Sequence, residues 1–143
     1  MTKLSNITLS DIDSGMATAT DIRVLDGDTF EATLHIWLDL QLTTRVRLAG
    51  VDTPSLHGET LHERNKAQDA YQFLQGLLKQ SIAESRSKRN VVRVVNPRNG
   101  KYAGRILADV YVDDVNVKDR IINEKYGVPY DGRTKPDWSQ GGE

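Results

Sequence analysis

Three strand-like runs follow one another early in this chain, and their spacing leaves room for little besides an antiparallel meander. Ala17 to Leu25 and Thr29 to Leu38 are rich in β-branched and aromatic residues, which pack well on a pleated surface. Between them stands Asp26-Gly27-Asp28-Thr29, and Asp-Gly between two such runs signals a tight hairpin turn. The third run, Leu42 to Val51, alternates so that Val46 and Leu48 share one face and Arg45 and Arg47 the other. Taken alone, the Asp-Gly turn has a purely structural cause, so any chemistry there must be argued from the rest of the chain.

After the third run, Pro54 and Gly58 break the pattern and Ser55 to Thr60 reads as a loop. Thr60 and Glu63 have the spacing of a capping box, which predicts a helix to about Lys79. Its stripe of Ala67, Ala70, Tyr71, Leu74, Leu77 and Leu78 belongs to the core rather than to a site. Ser81 to Asn90 reads as a solvated loop, and Lys79, Arg86, Lys88 and Arg89 as solvated charge. Val91 to Val95 is a short buried strand, Asn96 to Lys101 a turn cluster, and Arg105 to Val112 a strand reversing at Asp113-Asp114. Val115 to Tyr126 reads as a second helix through Val117, Ile121 and Ile122. Residues 1–15 form a flexible arm, 16–130 one domain, and 131–143 a polar tail; beyond Gly127 only Tyr130 and Trp138 offer anchors. This order predicts a mainly β fold with helices (α+β): a five-stranded antiparallel barrel with two to three accessory helices.

Composition narrows the function. With no cysteine, disulfides, thiolate nucleophiles and cysteine-held zinc are excluded, so a metal must be held by oxygen or imidazole. A net charge of −1 excludes a protein that wraps a duplex by neutralising many phosphates, but a cleft around one phosphate needs only a few cations. No apolar run approaches the ~20 residues that span a bilayer, and no leader pattern opens the chain. We therefore expect a cytoplasmic monomer without membrane contact; the alternatives are a phage- or plasmid-encoded protein or the mature form of an exported one. The pair His57 and Glu59 lacks the cysteines of a zinc deaminase, and His62-Glu63 lacks the second histidine of a metalloprotease helix, since position 66 is Lys66.

Several charges fall at the ends of the predicted strands: Asp26 and Asp28 at the hairpin, Arg47 on the third strand, Asp52 and Thr53 closing it, and Arg105 opening the fifth. Hard cations such as Ca²⁺ take carboxylate, carbonyl and water oxygens, which Asp28, Asp52 and the Thr53 carbonyl can supply. Two arginines suit a phosphodiester, because planar guanidinium forks match phosphate oxygens and stay charged when partly buried.

These residues carry a resemblance. Asp26-Gly27-Asp28-Thr29, Val46-Arg47-Leu48-Ala49-Gly50-Val51-Asp52-Thr53-Pro54, and Lys101-Tyr102-Ala103-Gly104-Arg105 with Leu107-Ala108 are similar to the staphylococcal nuclease family over about Ile22 to Tyr130. The resemblance implies an OB-fold barrel and a Ca²⁺-dependent nuclease that cuts DNA and RNA, single-stranded or frayed, and leaves 3′-phosphate ends. It implies Asp28, Asp52 and the Thr53 carbonyl as metal ligands with Asp26 nearby. It further implies Arg47 and Arg105 as a clamp on the scissile phosphate, Lys101 and Tyr102 as contacts to a neighbouring phosphate, and Tyr130 as a stacking aromatic.

The pattern departs from the family's in two places. Ser55 stands where the family has a glutamate assigned as general base, and Ala103 is inserted between Tyr102 and Gly104. A general base contributes typically about 10²- to 10⁴-fold, so its loss slows such an enzyme without silencing it. We expect Glu59, in the same loop, to replace it, with His57 the lesser candidate. The alternatives to an active nuclease are a catalytically impaired OB-fold module that binds nucleic acid without cutting, and a protein-interaction module on the same barrel.

Overall fold

The computed structural model describes residues 16–84, 92–100, 104–131, 136 and 138, with the side chains of 80–84 outside that description. The arm expected over 1–15 lies outside the described residues, as does most of the 131–143 tail.

Strands β1 (Met16–Asp26) and β2 (Thr29–Trp37) form the predicted hairpin, Asp26 pairing with Thr29. Strand β3 (Leu40–Leu48) runs antiparallel to β2, followed by the two-residue β4 (Val51–Asp52) and helix α1 (Leu61–Glu84). Strand β5 (Val92–Asn99) pairs with β1, and β6 (Arg105–Val112) with β5. β6 also returns to β3, this time parallel, with Arg45 opposite Arg105 and Leu48 opposite Ala108. That pairing closes the ring β1-β2-β3-β6-β5, a five-stranded barrel of the expected OB-fold type. Strand β7 (Val115–Asn116), helix α2 (Val117–Asn123) and strand β8 (Val128–Pro129) follow, so the described residues hold two helices.

Alternation fills the barrel: Phe30, Ala32 and Leu34 from β2, Val46 and Leu48 from β3, Val92 and Val94 from β5, and Ala108 and Val110 from β6 are all buried. Leu74 and Leu78 of α1 and Val117 and Ile121 of α2 pack against them. On β1 the buried positions change parity between Ala19 and Val24. A register shift between Thr20 and Arg23, with Asp21 at φ 53, accommodates the change. No helix among the described residues is long and apolar enough to cross a membrane.

Several boundaries differ from the sequence reading. The third run does not continue to Val51: Gly50, at φ 84, turns the chain after Leu48. Val51 and Asp52 then pair with Pro129 and Val128 of β8 instead of with the barrel. Helix α1 reaches Glu84, past Lys79, so Ser81 to Glu84 are helical rather than loop; residues 85–90, with Arg86, Lys88 and Arg89, lie outside the described residues. β5 extends to Asn99 through a bulge at Asn96 (φ 56) where a turn was expected. The second helix starts at Val117, because Asn116 takes the cap position and its Oδ1 accepts from the Lys118 N–H at 3.0 Å. It ends at Asn123 rather than Tyr126, with Lys125 at φ 67.

A charged candidate site at the rim of the barrel

The site begins at the hairpin turn, and helix α1 sets its depth. Gly27 has no left-handed φ, so the reason for a glycine there is contact: a Cβ would stand 2.6 Å from the Ala70 Cβ and 2.8 Å from Thr53 Oγ1. The small Ala70 and the bare Gly27 let the helix lie directly on the turn. Asp28, next along, is thereby buried. Its Oδ1 accepts from the Thr29 hydroxyl at 2.9 Å and its Oδ2 from the Thr53 N–H at 3.1 Å.

Asp52 arrives from the other side on β4, fully buried, held by β8. Gly127, just before β8, permits this pairing, since a Cβ there would stand 2.8 Å from the Asp52 carbonyl oxygen. Arg47 joins the two acids. Its Nη1 donates to the carbonyls of Leu48 at 3.0 Å and Val51 at 2.8 Å and lies 3.4 Å from Asp28 Oδ2. Its Nη2 donates to Asp52 Oδ1 at 3.2 Å. The guanidinium lies 5.9 Å from the centre of the Tyr130 ring, and Tyr130 is tied to β3's turn by its N–H, which donates to the Gly50 carbonyl at 3.0 Å. Arg105 opposes Arg45 in the parallel β3–β6 ladder, one alternation from Arg47, so the two clamp candidates leave the barrel on its outer face.

Asp26 stands beside this group. Burial first, and the neighbouring Asp28 second, push its carboxyl up to about 6, although N–H groups of Gly27 and Leu56 and the charge of His57 pull the other way. Lys101 and Tyr102, with the inserted Ala103, lie outside the described residues.

Two carboxylates surround one guanidinium, with a third close by, so the buried charge is negative on balance. Thr53 Oγ1, at the same point, is buried with no hydrogen-bond partner among the described residues, which is costly unless something supplies one. The donors are all hard oxygens, the set that suits Ca²⁺. No group of three or more His, Asp and Glu side chains gathers around a metal position among the described residues. The oxygens this site could offer a cation are those of Asp28, Asp52 and the Thr53 carbonyl, with water to complete the set.

The loop after Pro54 holds an acid that the sequence reading assigned to a cap. The Glu63 N–H does donate to the capping Thr60 Oγ1 at 3.1 Å, but its carboxylate turns back and accepts from the Ser55 N–H at 3.3 Å. Gly58 makes room for it, because a Cβ there would collide with that carboxyl group. Ser55 itself faces inward to the loop, its Oγ accepting from the His57 N–H at 3.0 Å. Glu59 and His57 are exposed. The sequence reading also missed the full part of Trp138: its indole N–H donates to Asp52 Oδ2 at 2.8 Å.

A family model described as staphylococcal nuclease homologue matches residues 45–137, more than half of the chain. No curated protein matches it.

Proposed function

The chain belongs to the staphylococcal nuclease family, and we propose that it is a Ca²⁺-dependent nuclease that hydrolyses DNA and RNA, single-stranded or frayed, to 3′-phosphate ends. The observation that carries this reading is the Arg47 guanidinium held between two buried aspartates, with its Nη1 fixed by two carbonyls. A barrel needs no such buried charge for stability, and burying two carboxylates around one guanidinium carries a desolvation cost that a hydrophobic cluster would avoid. Held by Asp28, Asp52 and the Thr53 carbonyl, Ca²⁺ would polarise a phosphoryl oxygen and offset the charge of the transition state.

The chain's own residues do the rest. Arg47 and Arg105 present guanidinium forks to the phosphodiester, and fixing Arg47 in advance means its orientation is not lost on binding. Lys101 and Tyr102 contact an adjacent phosphate, and Tyr130, against Arg47, stacks on the sugar or base. Leaving a 3′-phosphate requires water's oxygen to bond to phosphorus while the P–O5′ bond breaks and the 5′-oxygen takes a proton. A serine cannot accept the proton that water gives up, so Ser55 cannot be the base. We assign to Glu63 the part expected of Glu59: its carboxylate sits on the Ser55 N–H, whereas Glu59 is exposed.

Ser55 also favours a second reading, an OB-fold module that holds nucleic acid without cutting it. The test is incubation with single- and double-stranded DNA and with RNA, in Ca²⁺, Mg²⁺ or EDTA. Cleavage that requires Ca²⁺ and is lost in folded Arg47→Ala and Asp28→Ala proteins is expected. Binding without cleavage would transfer the assignment to the second reading.

A further inference from the structure

We propose that Trp138 is a positioning residue for the Asp52 carboxylate, its indole N–H holding that acid in the orientation that receives a cation. The inference rests on the cation site proposed above. Asp52 is fully buried, and its two oxygens have different donors: Arg47 Nη2 lies 3.2 Å from Oδ1 and Trp138 Nε1 lies 2.8 Å from Oδ2. A donor on each oxygen stops the carboxylate from turning about its last bond, and an ionised carboxylate, with about four lone-pair sites, can accept from more partners than these two. An indole is suited to this place because it only donates and cannot itself compete for a cation.

Donors that orient a metal-binding side chain typically account for about 10- to 100-fold in metal affinity. The chain has two tryptophans, and the other, Trp37, ends β2. From Thr29, beside the site, to Trp37 is eight residues of strand, about 26 Å at ~3.3 Å per residue. Of the two tryptophans, Trp138 is therefore the one placed to excite terbium, a luminescent stand-in for Ca²⁺, when the exciting light is absorbed by indole and not by tyrosine.

The experiment uses the full chain. In Trp37→Phe protein, indole excitation should give terbium emission that Ca²⁺ displaces, and Ca²⁺ alone should alter Trp138 fluorescence, a measurement that leaves position 138 untouched. In Trp138→Phe protein the sensitised emission should vanish, and calorimetric Ca²⁺ affinity should fall about 10- to 100-fold. Unchanged Ca²⁺ affinity in Trp138→Phe, or silent Trp138 fluorescence while calorimetry records Ca²⁺ binding, would overturn the proposal alone. No Ca²⁺ binding by the unaltered protein, or binding indifferent to Asp28→Ala, would overturn the cation site and the proposal with it.

Discussion

Arg47 and Arg93 are built alike. Each lies against an aspartate, and each carries its guanidinium 5.9 Å from the centre of a tyrosine ring, Tyr130 for one and Tyr111 for the other. What separates them is water. The Arg47 side chain is 14% exposed and its partners Asp28 and Asp52 are 9% and 1% exposed; Arg93 is 36% exposed and Asp114 89%. An exposed pair is worth about 0–1 kcal/mol, so Arg93 adorns the surface. The buried group pays a desolvation cost that a hydrophobic cluster would avoid, and it has more acids than bases. The same three residue types thus make decoration in one place and a candidate site in the other, and burial with unbalanced charge is the distinguishing mark.

Removing Arg47 should break the comparison most visibly. Arg47→Ala leaves Asp28 and Asp52 without their shared counter-charge, and should cost about 3–5 kcal/mol in urea unfolding with EDTA present. Added Ca²⁺ should return part of that loss, because a ligand bound only by the folded state stabilises it. In the first turn of α1, Glu63→Gln should lower Ca²⁺-dependent cleavage by about 10²- to 10⁴-fold, while Glu59→Gln in the preceding loop leaves it unchanged; the reverse result would return the base to Glu59.

Asp26 tests the cost of a half-buried acid. Its carboxyl titrates at about 6 in the fold against an ordinary 3.8, so the protonated form favours folding. That contribution is full below about 3.8 and is lost as pH rises through about 6. In chelator, Asp26→Asn should therefore flatten the fall in unfolding midpoint between those values. Arg93→Ala marks the small end of the scale: a change within about 1 kcal/mol and no effect on cleavage.

The hairpin, the helix stripe and the order of the barrel strands were legible in the sequence because each rests on a short-range period or a turn residue. The same was true of the motif carrying Arg47 and Asp52. β4 and β8 were not legible, since two residues have no period and their partners lie far apart in the chain. Gly27 was legible as a glycine of a turn, but its use, clearance for Ala70, depends on a helix that arrives from elsewhere. Glu63 shows the limit of a local rule: its spacing from Thr60 identified the cap, yet nothing local shows that its carboxylate turns to Ser55. The hydrogen bond from Trp138 to Asp52 spans 86 positions, and a tryptophan in a polar tail announces only that it packs somewhere.

That span has a consequence for how the protein is made. Translation at roughly 5–20 residues per second puts Trp138 about 4 to 17 s behind Asp52 on the ribosome, given their separation of 86 positions. Arg105 and Tyr130 emerge in the same interval. A nascent polypeptide that has not reached Trp138 has Asp28, Asp52 and Arg47 but lacks the indole donor to Asp52 Oδ2. The carboxylate proposed to receive the cation thus gains that tether only after residue 138 has been added.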